Sequence, residues 1–177
     1  MAPIPAQRFD RLLRVIDRLT ELGGAVGALS LLGIFGLIGA EILSRNLLAH
    51  SLHFSWDLAG YLMGSCFLMT AAAALRSGSH VRVTALLEAL PDRTARMLER
   101  LACGTGLMIC VAFSWALIEM AWLSGVRGST SATAFRVPLV YPQSALAAGA
   151  TLLTLQCAAQ LLRLWRGESL ATGDGLE

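Results

Sequence analysis

The most reactive side chains of this sequence, its four cysteines, all lie within apolar runs. They are Cys66, Cys103, Cys110 and Cys157. They form no Cys-x-x-Cys pair, and the sequence has no His-Glu cluster, so it predicts no metal site and no bound cofactor. A disulfide framework would need cysteines outside the membrane on the oxidising side. We therefore interpret the four as small apolar packing residues.

Charged residues are scarce and avoid the centres of the apolar stretches. They make up 15% of the 177 residues, against about 25% in soluble domains, and the mean hydropathy is +0.62. Ionisable groups in the middle of a membrane mark ion pathways and proton relays. Their absence there predicts a supporting membrane protein, not a self-sufficient transporter or an enzyme. The net charge of +2 does not indicate nucleic-acid binding.

Four stretches have the roughly 20 apolar residues that a membrane helix needs. They cover about residues 22–40, 58–75, 101–122 and 140–162 of a single membrane domain, 1–177. The first is longer than the apolar core of a typical signal peptide, so an uncleaved anchor is expected. Residues 41–57 and 83–101 are amphipathic and are typical of interfacial segments. The predicted fold is an all-α membrane protein with four transmembrane helices and amphipathic interfacial connecting helices.

The distribution of arginine predicts the orientation of these helices. All fourteen basic residues are arginine. Eleven of them lie on one side of the predicted spans: before the first, between the second and the third, or after the fourth. Only Arg45, Arg127 and Arg136 lie on the other side. Since cytoplasmic segments are rich in basic residues, both termini are expected in the cytoplasm (N-in/C-in), with tails 1–21 and 163–177. A multi-pass protein of the bacterial inner membrane follows.

Two groups of residues are candidates for contact with partners. Small residues let helices approach closely, and arginines bind anionic headgroups, so the first group is assigned to subunit or lipid contact: Gly23, Gly27, Gly60, Gly64, Trp56, Arg76, His80 and Arg82. The second group is charged, lies near the outer ends of the spans and is assigned to docking on the periplasmic side: Glu41, Arg45, Asp57, Arg127 and Arg136. Glu41 and Arg45 are four residues apart, which favours an ion pair on one helix face.

Three segments together resemble a known family. They are Trp56-Asp57 at the start of the second span; Ala71 to Leu75, Arg76, Gly78, His80-Val81-Arg82-Val83 and Leu90-Pro91; and Ser131, Thr133 and Arg136-Val137-Pro138-Leu139 leading to Tyr141-Pro142-Gln143. Over about residues 10–166 the sequence resembles the small membrane subunit (DctQ type) of tripartite ATP-independent periplasmic (TRAP) transporters. It departs from the family pattern at Leu58-Ala59, where acids are frequent, and at Thr84.

The resemblance implies a function that the residues alone do not reveal. It implies a scaffold subunit that packs against a large membrane subunit (DctM type), works with a periplasmic substrate-binding protein (DctP type) and takes part in the uptake of organic acids by symport. Two alternatives stay open at this point: a four-helix assembly or sensor protein without a transport role, and a small drug-proton antiporter with a membrane-embedded glutamate. A membrane thiol oxidoreductase is disfavoured because it needs cysteine pairs in outer loops.

Overall fold

The structure is a computed structural model that describes residues 6–52, 54–78, 91–133 and 136–166. That part of the chain contains four α-helices: α1 Ala6–Leu48, α2 Ser55–Arg76, α3 Asp92–Arg127 and α4 Val140–Trp165. Each contains a segment long and apolar enough to cross a membrane. The prediction of an all-α protein with four transmembrane helices is therefore confirmed, while the N-in/C-in orientation stays a prediction.

The helices are longer than the apolar stretches that predict them. α1 already begins at Ala6 and continues past Glu41 to Leu48, so residues 41–48 extend this helix and form no separate element. A charge ends the apolar run, but only the backbone ends the helix, and Ala49 does so with a left-handed φ of 51°. Residues 83–90 of the second predicted interfacial stretch lie outside the described residues, whereas residues 92–101 form the first turns of α3 and no separate element.

One face of α1 is buried in a coiled-coil-like pattern. Its buried residues recur at alternating steps of three and four: Leu13, Ile16, Thr20, Gly23, Gly27 and Ser30. This spacing keeps one seam of the helix against its neighbours. α1 and α2 run antiparallel along the seam, since a Cβ built at Gly23 would contact the Met69 carbonyl and one at Gly33 would contact Leu62.

α4 is the central helix of the molecule. It packs against each of the other three helices, whereas α3 packs mainly against α4. Its buried face consists mostly of small or polar residues: Ala147, Gly149, Ala150, Gln156, Cys157, Ala159, Gln160 and Leu164. Since apolar surface gains nothing by leaving lipid, helices in membranes associate through close packing and hydrogen bonds. A helix rich in small residues is therefore suited to the position with the most neighbours.

Hydrogen bonds join α4 to its neighbours inside the bundle. The hydroxyl of Thr20 on α1 donates to Gln156 Oε1 at 3.1 Å, and neither residue is exposed. The hydroxyls of Ser114 on α3 and Thr154 on α4 lie 2.7 Å apart. Such bonds are worth about 0.6–2 kcal/mol each between membrane helices. They specify which helix faces which, and they do so without any charge.

An ion-pair network fastens the end of the bundle that carries both termini, here called the termini end. Asp17 on α1 accepts a hydrogen bond from Arg163 of α4 at 2.7 Å, and its other carboxylate oxygen lies 3.5 Å from Arg76 Nε of α2. Arg76 also pairs with Glu21 at 2.7 Å. Three helices therefore meet at one carboxylate. The opposite end, which carries the connections α1–α2 and α3–α4, is called the loop end below.

Candidate docking and subunit-contact surfaces

Glu41 organises the connection between α1 and α2 at the loop end. Its carboxylate accepts hydrogen bonds from the Ser51 hydroxyl at 2.7 Å, from the Leu52 amide at 2.8 Å and from the Ser55 hydroxyl at 3.2 Å. Arg45 Nη2 lies 3.2 Å away, which is the ion pair that the four-residue spacing favours. Because its side chain is only 12% exposed, Glu41 fixes the start of α2 and presents little of its own charge to a partner.

Asp57 has a similar internal role for the connection between α3 and α4. It lies in the first turn of α2, where a carboxylate also interacts favourably with the helix dipole. Its Oδ2 accepts a hydrogen bond of 2.6 Å from the Thr133 hydroxyl. That hydroxyl lies 2.8 Å from Ser131 Oγ, which accepts from the Val137 amide at 3.1 Å. A chain of side-chain hydrogen bonds thus ties this connection to a third helix.

The connection itself is a short hairpin-like turn. α3 ends at Arg127, and the next residue, Gly128, has a left-handed φ of 61° that suits glycine. The two arms are then held by backbone hydrogen bonds from Ser131 N to Val137 O and from Leu139 N to Ser129 O, both 2.9 Å. Arg136 follows with a φ of 44°, a left-handed conformation that side-chain-bearing residues rarely adopt. The exposed Arg136 side chain is therefore displayed from a turn of fixed shape.

The five residues predicted for docking are thus of two kinds. Glu41 and Asp57 are occupied by contacts inside the chain. Arg45, Arg127 and Arg136 have exposed side chains. Among the described residues Asp57 pairs with none of these arginines, and its Oδ2 accepts from Thr133 instead. The two kinds cannot be told apart by position, because all five lie at the ends of spans.

The four glycines predicted for helix contact are also of two kinds: three pack against other helices of this chain, and one does not. Gly23 and Gly27 are buried, and a Cβ at these positions would meet Leu152 at 2.9 Å and Thr70 at 2.5 Å. A Cβ at Gly64 would meet Leu146 at 2.8 Å. These three glycines therefore serve contacts within the chain, not an outward surface. Gly60 alone of the four has no atom within 4 Å of such a Cβ.

Of the remaining candidates for subunit or lipid contact, Trp56 and Arg76 are described and lie at opposite ends of α2. Trp56 is 75% exposed at the loop end, where an aromatic ring suits the membrane interface. Arg76 is at the termini end and is held by α1 through Asp17 and Glu21. His80 and Arg82 lie outside the described residues. The described members of this group therefore do not lie together in a single site.

The cysteines lie within the helices, as the sequence indicates. All four are free thiols, and Cys157 is buried. Cys103 and Cys157 face each other across the α3–α4 contact, each with its sulfur within 4 Å of the other's carbonyl oxygen. No group of histidine, cysteine and carboxylate residues suitable for a metal ion occurs in the described part of the chain. The small size of Cys103 and Cys157 suits the close approach of α3 and α4.

The fold and these surfaces define a polytopic membrane protein whose helices are joined by uncharged hydrogen bonds and whose polar ends are internally braced. The sequence model for tripartite ATP-independent periplasmic transporters, DctQ component, matches residues 34–167. The chain therefore belongs to the DctQ family, the small component of TRAP transporters, and is a multi-pass protein of the inner membrane. No curated protein matches the chain. The matched region begins inside α1, so the α1 segment that packs on α4 at Leu13 and Ile16 lies before it.

Proposed function

We propose that this DctQ component is a static subunit that supports a DctM-type transport subunit and offers a periplasmic docking site to a DctP-type binding protein during organic acid uptake. One observation carries the docking role. At the loop end the carboxylates of Glu41 and Asp57 are engaged within the chain, whereas the side chains of Arg127 and Arg136 are exposed and that of Arg45 is exposed although it pairs with Glu41. The three arginines are here called the arginine rim.

The arginine rim suits a partner that binds briefly and carries an acidic face. Rim charges at an interface act mainly on encounter rate and orientation, and they contribute less to the lifetime of the complex. A binding protein that must dock, deliver its substrate and leave needs this behaviour. The orientation predicted from the eleven-to-three distribution of arginines would place the rim in the periplasm, where the binding protein is found.

The internal bracing supports a static role rather than a moving one. Glu41 holds the α1–α2 connection, and Asp57 holds the α3–α4 connection to α2. The arrangement also disfavours a drug-proton antiporter, which needs a glutamate inside the bundle. Glu41 is occupied by the loop-end contacts, and Glu119 is exposed on the outside of α3.

The docking role is tested by transport kinetics. We expect Arg136→Glu in the assembled transporter to slow uptake at limiting binding protein, with recovery at saturating binding protein. Added salt should narrow the difference from the parent, because exposed charges are screened over about 8–10 Å. Arg11→Glu is a matched control, since Arg11 is exposed at the termini end and undergoes the same charge reversal.

Uptake should be measured against binding-protein concentration and normalised to the amount of assembled complex. If the concentration dependence of Arg136→Glu equals that of the parent, the arginine rim does not dock the binding protein. A change of equal size in Arg11→Glu would count against the rim in the same way, because a general effect of charge would then explain both.

A further inference from the structure

Glu119 is an exposed carboxylate on the membrane-spanning part of α3 that has no partner among the described residues. Its side chain is exposed, and it makes no hydrogen bond or ion pair with any described residue. Arg127 follows eight residues later in the same helix, about 12 Å further along the axis. Ionisable residues in membrane helices are costly and are normally paired. The partner of this carboxylate should therefore belong to another molecule.

The surface around Glu119 has the pattern of a helix-packing face. α3 is exposed over most of its surface, and one row of its exposed residues recurs at alternating steps of three and four, here called the α3 stripe: Leu101, Thr105, Met108, Ala112, Trp115, Glu119, Trp122 and Val126. This period matches a straight seam between packed helices. The stripe lies opposite the face that α3 turns to α4, where Ser114 and Ala121 are buried. The chain itself covers none of it among the described residues.

Two tryptophans of the stripe flank Glu119. Trp115 and Trp122 lie one turn on either side of Glu119 and are each 71% exposed. Tryptophan is among the residues most enriched in the energetic centres of interfaces. Two large rings beside a charged group can also exclude water and lipid from a polar contact that this group makes.

We propose that the α3 stripe is the surface on which the large transport subunit packs, through a transmembrane helix that places a basic side chain opposite Glu119. The inference rests on the proposed partnership with that subunit and adds its location. A cation on the partner would neutralise the carboxylate, and the two tryptophan rings would shield the pair. Glu119 would then fix the depth of the partner helix in the membrane and its rotation about its own axis.

Site-specific photocrosslinking tests the location. A photoreactive amino acid is placed at Trp115 or Trp122 in the stripe, and at Phe35 of α1 as a control of equal accessibility, since Phe35 is 79% exposed. Each variant is co-expressed with the large subunit and irradiated in native membranes. We expect crosslinks to the large subunit from positions 115 and 122 and none from position 35.

The outcomes separate the location from the partnership. Crosslinks to the large subunit from position 35 alone would overturn the α3 location and leave the partnership intact. Crosslinks from 115 or 122 to a second copy of this chain would overturn it as well. If the large subunit neither crosslinks nor co-purifies with the unmodified chain, the proposed function itself fails.

Substitution of Glu119 tests the charge pairing. Glu119→Gln and Glu119→Leu should lower the recovery of large subunit with a tagged chain at least about tenfold, because loss of one member of a close charge pair leaves the other unpaired. The stability of the isolated chain should not change, since Glu119 has no contact to lose within it. Ile118→Leu, at an exposed neighbouring position outside the stripe, is the control. If the carboxylate only reaches the lipid headgroups, Glu119→Leu will leave recovery unchanged, and the proposal is then wrong.

Discussion

Gly149 lies where the backbones of α4 and α2 come close together, and replacing it with alanine should force them apart. A Cβ at this position would lie 2.8 Å from Leu68 Cβ, 3.1 Å from the Leu68 carbonyl carbon and 3.2 Å from the Met69 nitrogen. These atoms belong to the backbone or are fixed to it, so no side-chain rotation relieves the contact. The helices must separate by about half an ångström or more to reach ordinary van der Waals distance.

The expected cost follows from two opposing effects. Overpacking of a tightly packed contact lowers stability by about 1–3 kcal/mol. Replacing a helical glycine with alanine raises stability by about 0.5–1 kcal/mol. We therefore expect Gly149→Ala to lower the free energy of unfolding by about 1–2 kcal/mol. Gly64→Ala should cost less than that, because it meets only a Leu146 methyl group, which a different rotamer can move.

Gly104 offers the matched control in α3. A Cβ there would have no atom within 4 Å, so Gly104→Ala should raise stability by about 0.5–1 kcal/mol. The three variants can be compared by denaturing the purified protein in mixed micelles with increasing SDS and following tryptophan fluorescence. If Gly149→Ala proves as stable as Gly104→Ala, the α2–α4 backbone approach is not as close as the structure has it.

Three further perturbations test the polar contacts and the orientation. Thr133→Val removes the hydroxyl that donates to Asp57 and should destabilise the loop end by about 1–3 kcal/mol. We expect faster amide exchange in residues 128–139. Unchanged exchange would show that this hydrogen bond does not hold the α3–α4 connection. Asp17→Asn should lower the free energy of unfolding by about 1–3 kcal/mol, because Arg76 and Arg163 lose their shared carboxylate partner. An unchanged midpoint of unfolding in SDS would contradict this expectation. A reporter active only in the periplasm should work when inserted at Gly128 and fail at Glu177; the reverse would invert the predicted topology.

The sequence was sufficient for the number and position of the helices because a membrane imposes a simple rule. About 20 apolar residues must be consecutive to cross it, so spans are visible without knowledge of packing. The ends of the helices were not visible in the same way. α1 continues to Leu48 because hydropathy reports the membrane portion of a helix, and the backbone stays helical until a residue such as Ala49 adopts another conformation.

The candidate surfaces were harder to predict because the same residue type serves different roles. Asp57 and Thr133 are 76 positions apart and bond only because α2 and the α3–α4 connection meet at the loop end. In the sequence Glu119 is only a charge near the end of the apolar stretch 101–122. Its place on an uncovered stripe follows from the burial of Ser114 and Ala121 on the other side of α3, although the period of the stripe can be read from the sequence.

By itself the sequence determined that this is a membrane protein with four helices, and its short motifs identified the DctQ family, because composition and local spacing carry that information. Only the tertiary structure decided that α4 is central, that Gly23 and Gly27 pack inside the chain, and that Glu41 and Asp57 brace the loop end. Lipid is as apolar as the helix surfaces, so hydrophobicity does not tell a helix which face to bury. Backbone approach and interhelical hydrogen bonds make that choice, and both depend on residues far apart in the chain.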